Sequence, residues 1–217
     1  MGVNGAGKST LIRLLGRQQK PSSGAIFLNK NNLAELTMQE VARRIAYLPQ
    51  RHAMSGLTVA DYLLLGRNPH ISWKIKESDR EVVMVTLEKL QIDDLALRSL
   101  FELSGGELQK AALARALVQE PEVILLDEPT SNLDPKNQQE VMRLIDREVQ
   151  QRGLTAIIAM HDLNLALRYA TGFTLLKDGK ILASGGREVI TPGNLSQLYG
   201  IDFRMQLFED HTIVFPE

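Results

Sequence analysis

The sequence opens, after Met1, with the stretch Gly2-Val3-Asn4-Gly5-Ala6-Gly7-Lys8-Ser9, which contains every residue of a phosphate-binding loop. Its glycines let consecutive backbone N–H groups turn inward around phosphate oxygens. Lys8 adds a mobile cation, and the hydroxyl of Ser9 can ligate Mg²⁺. The apolar residues beyond Thr10 predict an amphipathic helix whose positive N-terminal end faces the phosphates. The motif alone indicates a nucleoside triphosphate, and the alternative is a glycine turn that only caps a helix.

A second glycine motif lies near the middle of the chain, Leu103-Ser104-Gly105-Gly106-Glu107-Leu108-Gln109. Serine at the N-cap and glutamate three residues later form a capping box that would suit any helix. Capping does not explain two adjacent glycines at the first helical positions, because glycine lowers helix stability. These glycines leave backbone N–H groups bare for a phosphate. We therefore expect the segment to have both roles.

A short apolar run, from Val123 to Leu126, precedes the two acidic residues Asp127 and Glu128. A continuous run of this length is typical of a parallel strand that is buried on both faces. Such a strand delivers its last side chains to the carboxyl edge of the sheet, where open α/β folds bind ligands. Both carboxylates are therefore candidates for the site. The plainer interpretation is that they begin a solvated loop.

The order of these motifs resembles the ATP-binding-cassette (ABC) ATPases, in which a Ser-Gly-Gly signature opens a helix that leads to the acidic strand. The resemblance implies an α/β fold, with a P-loop NTPase (RecA-like) core of mainly parallel strands and an inserted helical subdomain. It implies a single ABC ATPase domain over residues 1–217, with residues 1–50 and 120–217 in the core. Residues 51–119 are then expected to carry the Q-loop, named for its glutamine, and the helical subdomain.

The resemblance also implies roles for five polar residues. Asp127 would meet Mg²⁺ directly or through water, and Glu128 would face the attacking water. Gln50 resembles the Q-loop glutamine, whose amide reaches Mg²⁺ and the water when the site closes. His161 follows an apolar, buried-looking run and matches the switch histidine, which hydrogen-bonds the γ-phosphate. Asp134 lies in the segment that matches the family's D-loop.

Three of these residues have plainer interpretations. A glutamine after a proline is an unremarkable surface residue, and only the order of the motifs gives Gln50 a role. A lone histidine such as His161 is usually structural. Asp134 precedes Pro135 and is an ideal helix N-cap with proline at the first helical position, a role that is compatible with the D-loop.

The mechanism implied by the resemblance is hydrolysis of ATP with Mg²⁺ in a head-to-tail dimer of two copies. The predicted nucleotide-binding residues are Gly2, Val3, Asn4, Gly5, Ala6, Gly7, Lys8, Ser9, Thr10 and Gln50. The predicted Mg²⁺ ligands are Ser9, Gln50 and Asp127. The predicted catalytic residues are Glu128 and His161. The signature residues that would close over the ATP of the second chain are Ser104, Gly105, Gly106 and Glu107.

Two further segments look like the ATPases of importers for iron-siderophore, haem and cobalamin. They are Leu65-Gly66-Arg67-Asn68-Pro69-His70 and Leu198-Tyr199-Gly200-Ile201. The resemblance implies integral-membrane permease subunits as partners, a substrate-binding protein as an indirect partner, and a peripheral location on the cytoplasmic face of the membrane. The first segment lies where cassettes receive the permease, and its plainer interpretation is an ordinary helix stop with a proline-containing turn.

Composition restricts the partners. The 217 residues include 25 Lys and Arg against 26 Asp and Glu, a net charge of −1, and no basic stripe or aromatic platform predicts nucleic-acid binding. The absence of cysteine excludes disulfides and thiol catalysis. No apolar run approaches the roughly 18 residues that span a bilayer. Any membrane association is therefore expected to come through a partner.

The loop motif at the very start of the chain leads to a further expectation. Cassettes normally place an antiparallel strand lobe, an aromatic residue that stacks on adenine and the strand entering the loop before this point. We therefore expect the N-terminal strand lobe to be largely missing and the truncated chain to have lower stability and ATPase activity. The alternatives to a transport subunit are an inactive or weakly active cassette and a soluble ABC ATPase. The usual marks of the soluble class, a long coiled coil or a second cassette, are not found in this sequence.

Overall fold

The computed structural model describes residues 1–50, 55–209 and 211–217, without the side chain of residue 211. Within them the chain divides into two compact units. The first unit comprises residues 1–12 and 159–217, and the second comprises residues 13–158.

Helices and strands alternate along most of the described chain. The helices are α1 (Lys8–Leu15), α2 (Met38–Arg44), α3 (Val59–Leu64), α4 (Glu77–Leu90), α5 (Gly105–Leu117), α6 (Pro135–Arg152), α7 (Leu163–Tyr169) and α8 (Pro192–Tyr199). The strands are β1 (Phe27–Leu28), β2 (Asn31–Asn32), β3 (Ile45–Leu48), β4 (Val123–Asp127), β5 (Thr155–Ala159), β6 (Phe173–Lys177), β7 (Lys180–Gly185), β8 (Phe203–Phe208) and β9 (His211–Pro216).

The centre of the second unit is a three-stranded sheet in the order β3-β4-β5. Strands β3 and β4 are parallel, and their register pairs Ile45 with Val123 and Leu48 with Leu126. Strand β4 is buried along nearly all of its length, as its apolar run predicts. Because parallel strands end at the same edge, the residues that follow Leu48 and Leu126 emerge side by side.

Strand β5 differs from the sequence expectation. The run from Thr155 to Met160 predicts a buried strand, but Thr155 and Ile157 are exposed and only Ala159 within the strand is buried. In the described residues β3 and β5 are the two edge strands of this sheet, and β3 is largely buried, so the exposure of β5 reflects what packs on its faces rather than its place in the strand order. Apolarity alone does not separate a central strand from an edge strand, because both contain β-branched residues.

Helix ends follow the predicted capping chemistry. Thr37 begins α2 with a capping box to Glu40, and Ser104 begins α5 in the same way with Glu107. Asp134 caps α6, with proline in its first turn, as the sequence predicts. Packing of α3, α4 and α5 buries a leucine-rich core that includes Leu63, Leu87, Leu90, Leu100, Leu113 and Leu117.

The first unit is built around the β6–β7 hairpin. Its turn residues Asp178 and Gly179 have φ angles of 50° and 72°, as a two-residue Asp-Gly turn requires. The main chain of Met1 lies against β6: its amine donates to Thr174 O over 2.6 Å, and Leu176 N donates to Met1 O over 2.8 Å. A Cβ on Gly2 would lie 2.4 Å from Leu176 O, so this approach requires glycine.

None of the described helices combines the length and the apolar character that crossing a bilayer requires.

Candidate functional site

The phosphate-binding loop belongs to the first unit and leads directly into α1. Gly5 and Gly7 have φ angles of 80° and 100°, which residues with a side chain rarely adopt. The loop is closed by a hydrogen bond from Ala6 N to Val3 O over 3.2 Å. Gly179 N of the hairpin turn donates to Ala6 O over 3.2 Å, which ties the loop to β6 and β7.

Lys8 lies inside this loop. Its side chain is buried, and Nζ donates to the carbonyl oxygens of Gly2 at 2.9 Å and Val3 at 3.2 Å. Two of the acceptors that hold the ammonium are therefore neutral carbonyl oxygens of the loop itself. Phosphate oxygens are stronger, charge-assisted acceptors for such a group. Of its neighbours on α1, Ser9 is half-buried and Thr10 is exposed.

His161 also belongs to the first unit and lies between β5 and α7. It is exposed, and the next residue, Asp162, caps α7 by accepting from Leu165 N over 2.9 Å. Helix α7 begins at Leu163, where the sequence predicts it. The histidine therefore stands at the carboxyl end of a strand, as expected of a residue that meets a ligand there.

Gln50 and Glu128 are in direct contact in the second unit. Gln50 Nε2 donates to Glu128 Oε2 over 2.9 Å. The β3–β4 register causes this contact, because the two residues follow strands that end together. Asp127, the last residue of β4, is buried, whereas Glu128 is half-buried.

Glu128 has a left-handed backbone, with φ at 50°. Such a conformation costs on the order of 1 kcal/mol or more for a residue with a side chain, and it is concentrated at functional sites. A hydrogen bond from Ser131 N to Glu128 O over 3.1 Å forms the tight turn that follows. The turn directs the Glu128 side chain away from the line of β4 and toward Gln50.

The signature motif forms the start of α5. Ser104 N donates to Glu107 Oε2 over 2.8 Å, and Glu107 N donates to Ser104 Oγ over 3.4 Å. Hydrogen bonding of the Glu107 carboxylate to the side chain and then to the backbone N–H of Ser104 holds the pKa of Glu107 below its ordinary value. Both partners of the predicted capping box are therefore in place, and at the helix start Ser104 and Gly105 are exposed, whereas Gly106 is buried.

The two signature glycines have different surroundings. A Cβ on Gly105 would meet nothing within 4 Å, whereas a Cβ on Gly106 would lie 2.6 Å from Asn137 Oδ1. Gly105 therefore has no packing reason to be glycine, which is consistent with a role in exposing backbone to a ligand. Gly106 has a structural reason that the sequence did not reveal.

Asn137 links the signature to the D-loop. Asp134 Oδ1 accepts from Asn137 N over 2.9 Å, and Asp134 Oδ2 accepts from Asn137 Nδ2 over 2.6 Å. These bonds hold the pKa of Asp134 below its ordinary value. An ion pair of 2.7 Å between Lys110 and Glu140 joins the same two helices one turn further on.

The proposed Mg²⁺ ligands have suitable chemistry. Ser9, Gln50 and Asp127 offer a hydroxyl, an amide oxygen and a carboxylate, and Mg²⁺ is typically bound by one or two protein oxygens together with substrate phosphates. In the described part of the chain no group of three or more His, Cys, Asp or Glu could hold a metal ion by itself. The three Mg²⁺ ligands stay a prediction.

The segment from Leu65 to His70 follows α3 with a 3₁₀ turn in the second unit, and Gly66 and Arg67 within it are buried. Arg67 Nε donates to Asp79 Oδ1 over 3.2 Å, and Nη1 donates to Val118 O and Glu120 Oε2, each over 2.6 Å. The helix stop predicted as the plainer interpretation is therefore present. Sequence reasoning did not identify Arg67 as a structural residue, although a lone arginine in a Gly-Arg-Asn-Pro turn is the available signal.

A groove of about 260 Å³ lies beside this segment. The lining includes Tyr47, Pro49, Tyr62, Leu65, Asn68 and Arg115. All of its lining residues belong to the second unit, and they come from β3, α3, α5 and the segments between them.

The predicted site residues thus form two groups. The phosphate-binding loop and His161 lie in the first unit, and Gln50, Asp127, Glu128, the signature and Asp134 lie in the second.

Comparison with known proteins supplies the family. The model of a family described as ABC transporter matches residues 1–131. This chain belongs to the ABC transporter family. An uncharacterized ABC transporter ATP-binding protein of Methanocaldococcus jannaschii is 48% identical over 216 residues, covering 100% of this chain and 85% of the relative. The iron(3+)-hydroxamate import ATP-binding protein of Bacillus subtilis is 37% identical over 206 residues, covering 93% of this chain and 77% of the relative.

Solved structures match the whole fold. An inward-facing structure of an ABC transporter assigned to the metal-chelate type has a TM-score of 0.89 and 32% identity. The match covers 100% of this chain and 85% of the chain in that structure. A dimeric bacterial ABC transporter cassette has a TM-score of 0.75 and 27% identity. The match covers 86% of this chain and 83% of the chain in that structure. The predicted α/β cassette fold and the resemblance to iron-siderophore importer ATPases are confirmed.

Proposed function

We propose that this chain binds and hydrolyses ATP as the energy-supplying subunit of an importer for a metal chelate. The observation that carries the proposal is the hydrogen bond between Gln50 and Glu128 at the shared carboxyl edge of β3 and β4. A general base must be held in position beside the attacking water. The neutral amide of Gln50 can hold both the carboxylate of Glu128 and the water without adding charge to the site. The names of the relatives support the cargo class, since one imports iron(3+)-hydroxamate.

The chain's own residues would divide the work of phosphoryl transfer. Backbone N–H groups of the loop and Lys8 Nζ would hold the β- and γ-phosphates after Lys8 exchanges its carbonyl partners for phosphate oxygens. Mg²⁺ held by Ser9, Gln50 and Asp127 would supply positive charge to the phosphates. Glu128 would orient or deprotonate the attacking water. His161 would hydrogen-bond the γ-phosphate.

A second copy would complete each site. In the proposed head-to-tail dimer, the start of α5 contributes the N–H groups of Gly105 and Gly106, with Ser104 and Glu107 fixing that helix end. The open surroundings of Gly105 support this role, because a Cβ built there would meet none of the described residues within 4 Å. Asp134 of the D-loop would help to position the signature, because it binds Asn137, which packs against Gly106. A related cassette of known structure is dimeric.

The membrane partners would be two permease subunits, supplied with cargo by a substrate-binding protein. We propose that a permease segment docks in the groove lined by Tyr47, Tyr62 and Leu65, so that the chain lies peripherally on the cytoplasmic face. Pro49 of the lining directly precedes Gln50, so occupancy of the groove would influence Gln50 and its partner Glu128. Residues 1–217 would act as one cassette with residues 51–119 as its helical subdomain, of which residues 51–54 lie outside the described residues.

Transport in reconstituted vesicles tests the proposal. The tagged chain is purified with the membrane proteins encoded beside its gene, and ATP-dependent uptake of ferric hydroxamate, haem and cobalamin is measured in parallel. We expect one chelate to be taken up with ATP, and no uptake with the Lys8→Ala variant. An active ATPase that retains no membrane subunit and moves no chelate would contradict the importer function and leave a soluble ABC ATPase.

A further inference from the structure

Asn164 joins α7 to β9 through both groups of its side-chain amide. Its Nδ2 donates to Val214 O over 2.9 Å, and its Oδ1 accepts from Val214 N over 2.8 Å. The residue lies on α7, three positions after His161. One side chain thus satisfies both backbone polar groups of Val214, a buried residue of β9. Only asparagine and glutamine carry a donor and an acceptor on one neutral planar group, so this contact depends on the residue type.

Helix α7 is too short to hold its own position. It has seven residues, and isolated helices of this length are marginal in water, so its placement depends on tertiary contacts. Leu165, Ala166 and Leu167 are buried, but apolar packing is non-directional and tolerates small rotations and shifts. The paired hydrogen bonds of Asn164 are directional. They therefore fix the helix both along its axis and about it.

The position of α7 in turn fixes the backbone of His161. Asp162 caps the helix by accepting from Leu165 N over 2.9 Å, and His161 immediately precedes this cap. A rotation of α7 therefore moves the cap, and the histidine moves with it. All of these residues belong to the first unit, which also contains the phosphate-binding loop.

A second residue of the C-terminal segment reaches the same cap. Tyr199, the last residue of α8, packs against Phe203 at the start of β8, with their ring centres 5.5 Å apart. Its hydroxyl is buried and has no hydrogen-bond partner among the described residues. Burial and the charge of the nearby Asp162 carboxylate raise the pKa of Tyr199. The segment from α8 to β9 thus approaches the turn at His161 at two residues, Asn164 and Asp162.

We propose that Asn164 is a positioning residue for His161, so that the C-terminal segment from α8 to β9 holds the histidine where it meets the γ-phosphate. The inference rests on the proposed hydrolysis of ATP and adds a residue that acts through His161 without touching the nucleotide. A misplacement of about 1 Å can cost on the order of 10²-fold in rate. Loss of the Asn164 contacts therefore lowers turnover more than ATP affinity, because the phosphate-binding loop and Lys8 hold the nucleotide.

Steady-state hydrolysis and nucleotide titration test the inference. We expect Asn164→Ala to lower ATP turnover by about tenfold or more, with ATP affinity within about twofold of the parent. Asn164→Asp keeps the shape of the side chain but loses the donor and sets a carboxylate oxygen against Val214 O, so we expect a similar loss. Thermal melting shows that each variant is folded.

Asn194→Ala is the matched control. Asn194 Nδ2 donates to Val189 O over 2.8 Å, so the substitution removes a comparable amide hydrogen bond in the same unit. Asn194 lies on α8 and not on the helix that follows His161. We expect this variant to keep the parent rate.

A second background separates positioning from a general loss of structure. In His161→Ala, the Asn164→Ala substitution has no imidazole to displace, so we expect less than about a twofold further loss of turnover. An equal fold-loss in the parent and in His161→Ala would assign the effect to structure rather than to His161.

The ring of His161 gives a readout that does not depend on turnover. Chains isotope-labelled at histidine are compared by NMR, and the His161 signal is assigned from its loss in His161→Gln. We expect Asn164→Ala to shift or broaden the His161 signal and to leave that of His70, in the second unit, unchanged. Asn194→Ala changes neither signal.

The outcomes separate this inference from the proposed function. If the parent chain hydrolyses no ATP, the proposed function fails, and the NMR comparison decides whether Asn164 positions His161. If the parent is active but both Asn164 variants match its turnover, only the positioning role is refuted. A His161 signal that is unchanged in both Asn164 variants also refutes it.

Discussion

Gln50 Nε2 and Glu128 Oε2 are hydrogen-bonded over 2.9 Å, although 78 residues separate them along the chain. The parallel register of β3 and β4 brings them together, and the left-handed backbone of Glu128 directs its carboxylate. The Q-loop glutamine and the predicted base thus form one unit in the described structure.

Replacement of Glu128 by glutamine tests its role as the base. We expect Glu128→Gln to lower ATP turnover by about 10²-fold or more, with ATP binding preserved, because the amide keeps the shape but cannot take a proton. Dimers then accumulate with Mg-ATP and are measured by size-exclusion chromatography. Glu88→Gln, on the exposed face of α4, is the matched control and keeps the parent rate. A Glu128→Gln rate above about a tenth of the parent would remove Glu128 from this role.

Charge at position 50 tests the contact itself. Gln50→Glu places a carboxylate beside that of Glu128, so we expect a larger loss of turnover than in Gln50→Ala, which removes the contact without adding repulsion. ATP binding to the isolated chain changes little in either variant. Steady-state hydrolysis and equilibrium nucleotide titration give both quantities. Equal rates for the two variants would mean that the 2.9 Å contact does not persist during turnover.

Substitutions at the start of α5 test whether the signature acts on the nucleotide of its own chain or on that of the second copy. We expect Ser104→Arg to eliminate hydrolysis while monomer ATP affinity is retained, because the bulky cation blocks a nucleotide held by the second copy. Lys8→Ala instead weakens binding itself by losing a charge-assisted contact. Ser104→Ala removes only the cap, costs about 1 kcal/mol of stability and serves as the control. Loss of monomer ATP affinity in Ser104→Arg would contradict a role in trans.

Alanine substitutions at the two signature glycines are expected to affect different properties, stability at Gly106 and ATP turnover at Gly105. Gly106→Ala forces a Cβ against Asn137, which Asp134 holds in place, so we expect a loss of about 1–3 kcal/mol in the free energy of unfolding. Adding Asn137→Ala recovers part of that loss. Gly105→Ala changes stability by less than about 1 kcal/mol and lowers turnover of the dimer. Urea denaturation measures the first effect, and equal destabilisation by both alanines would overturn the distinction.

The capping box of α5 makes a pH-dependent contribution. Hydrogen bonds from Ser104 lower the pKa of Glu107 in the folded chain, so the carboxylate stabilises the fold above its ordinary pKa and loses this contribution as pH falls through the lowered value. We expect Glu107→Gln to be less stable than the parent at pH 7 and the difference to shrink below about pH 4. Urea denaturation across this range is the measurement. A difference that stays constant with pH would assign the effect to packing.

The sequence by itself determined the local elements and the candidate residues. The glycines of the loop, the Ser-Gly-Gly motif and the acidic end of β4 each follow from short-range chemistry, and so do the caps at Ser104 and Asp134. Helix α2 and strand β3 occur at the residues where the pattern predicts them, Met38–Arg44 and Ile45–Leu48. Local hydrogen bonding and backbone preference are encoded within a few residues, and a sequence shows them directly.

Only the tertiary structure decided which residues meet and which faces are covered. The apolar run of β5 does not show that Ile157 is exposed, and the need for glycine at position 106 follows from Asn137. The burial of Arg67 also depends on tertiary contacts, because its side chain binds Asp79 of α4 and the backbone of Val118 at the end of α5. Strand order and helix packing bring distant segments of the chain together, and periodicity along one segment carries no information about its neighbours in space.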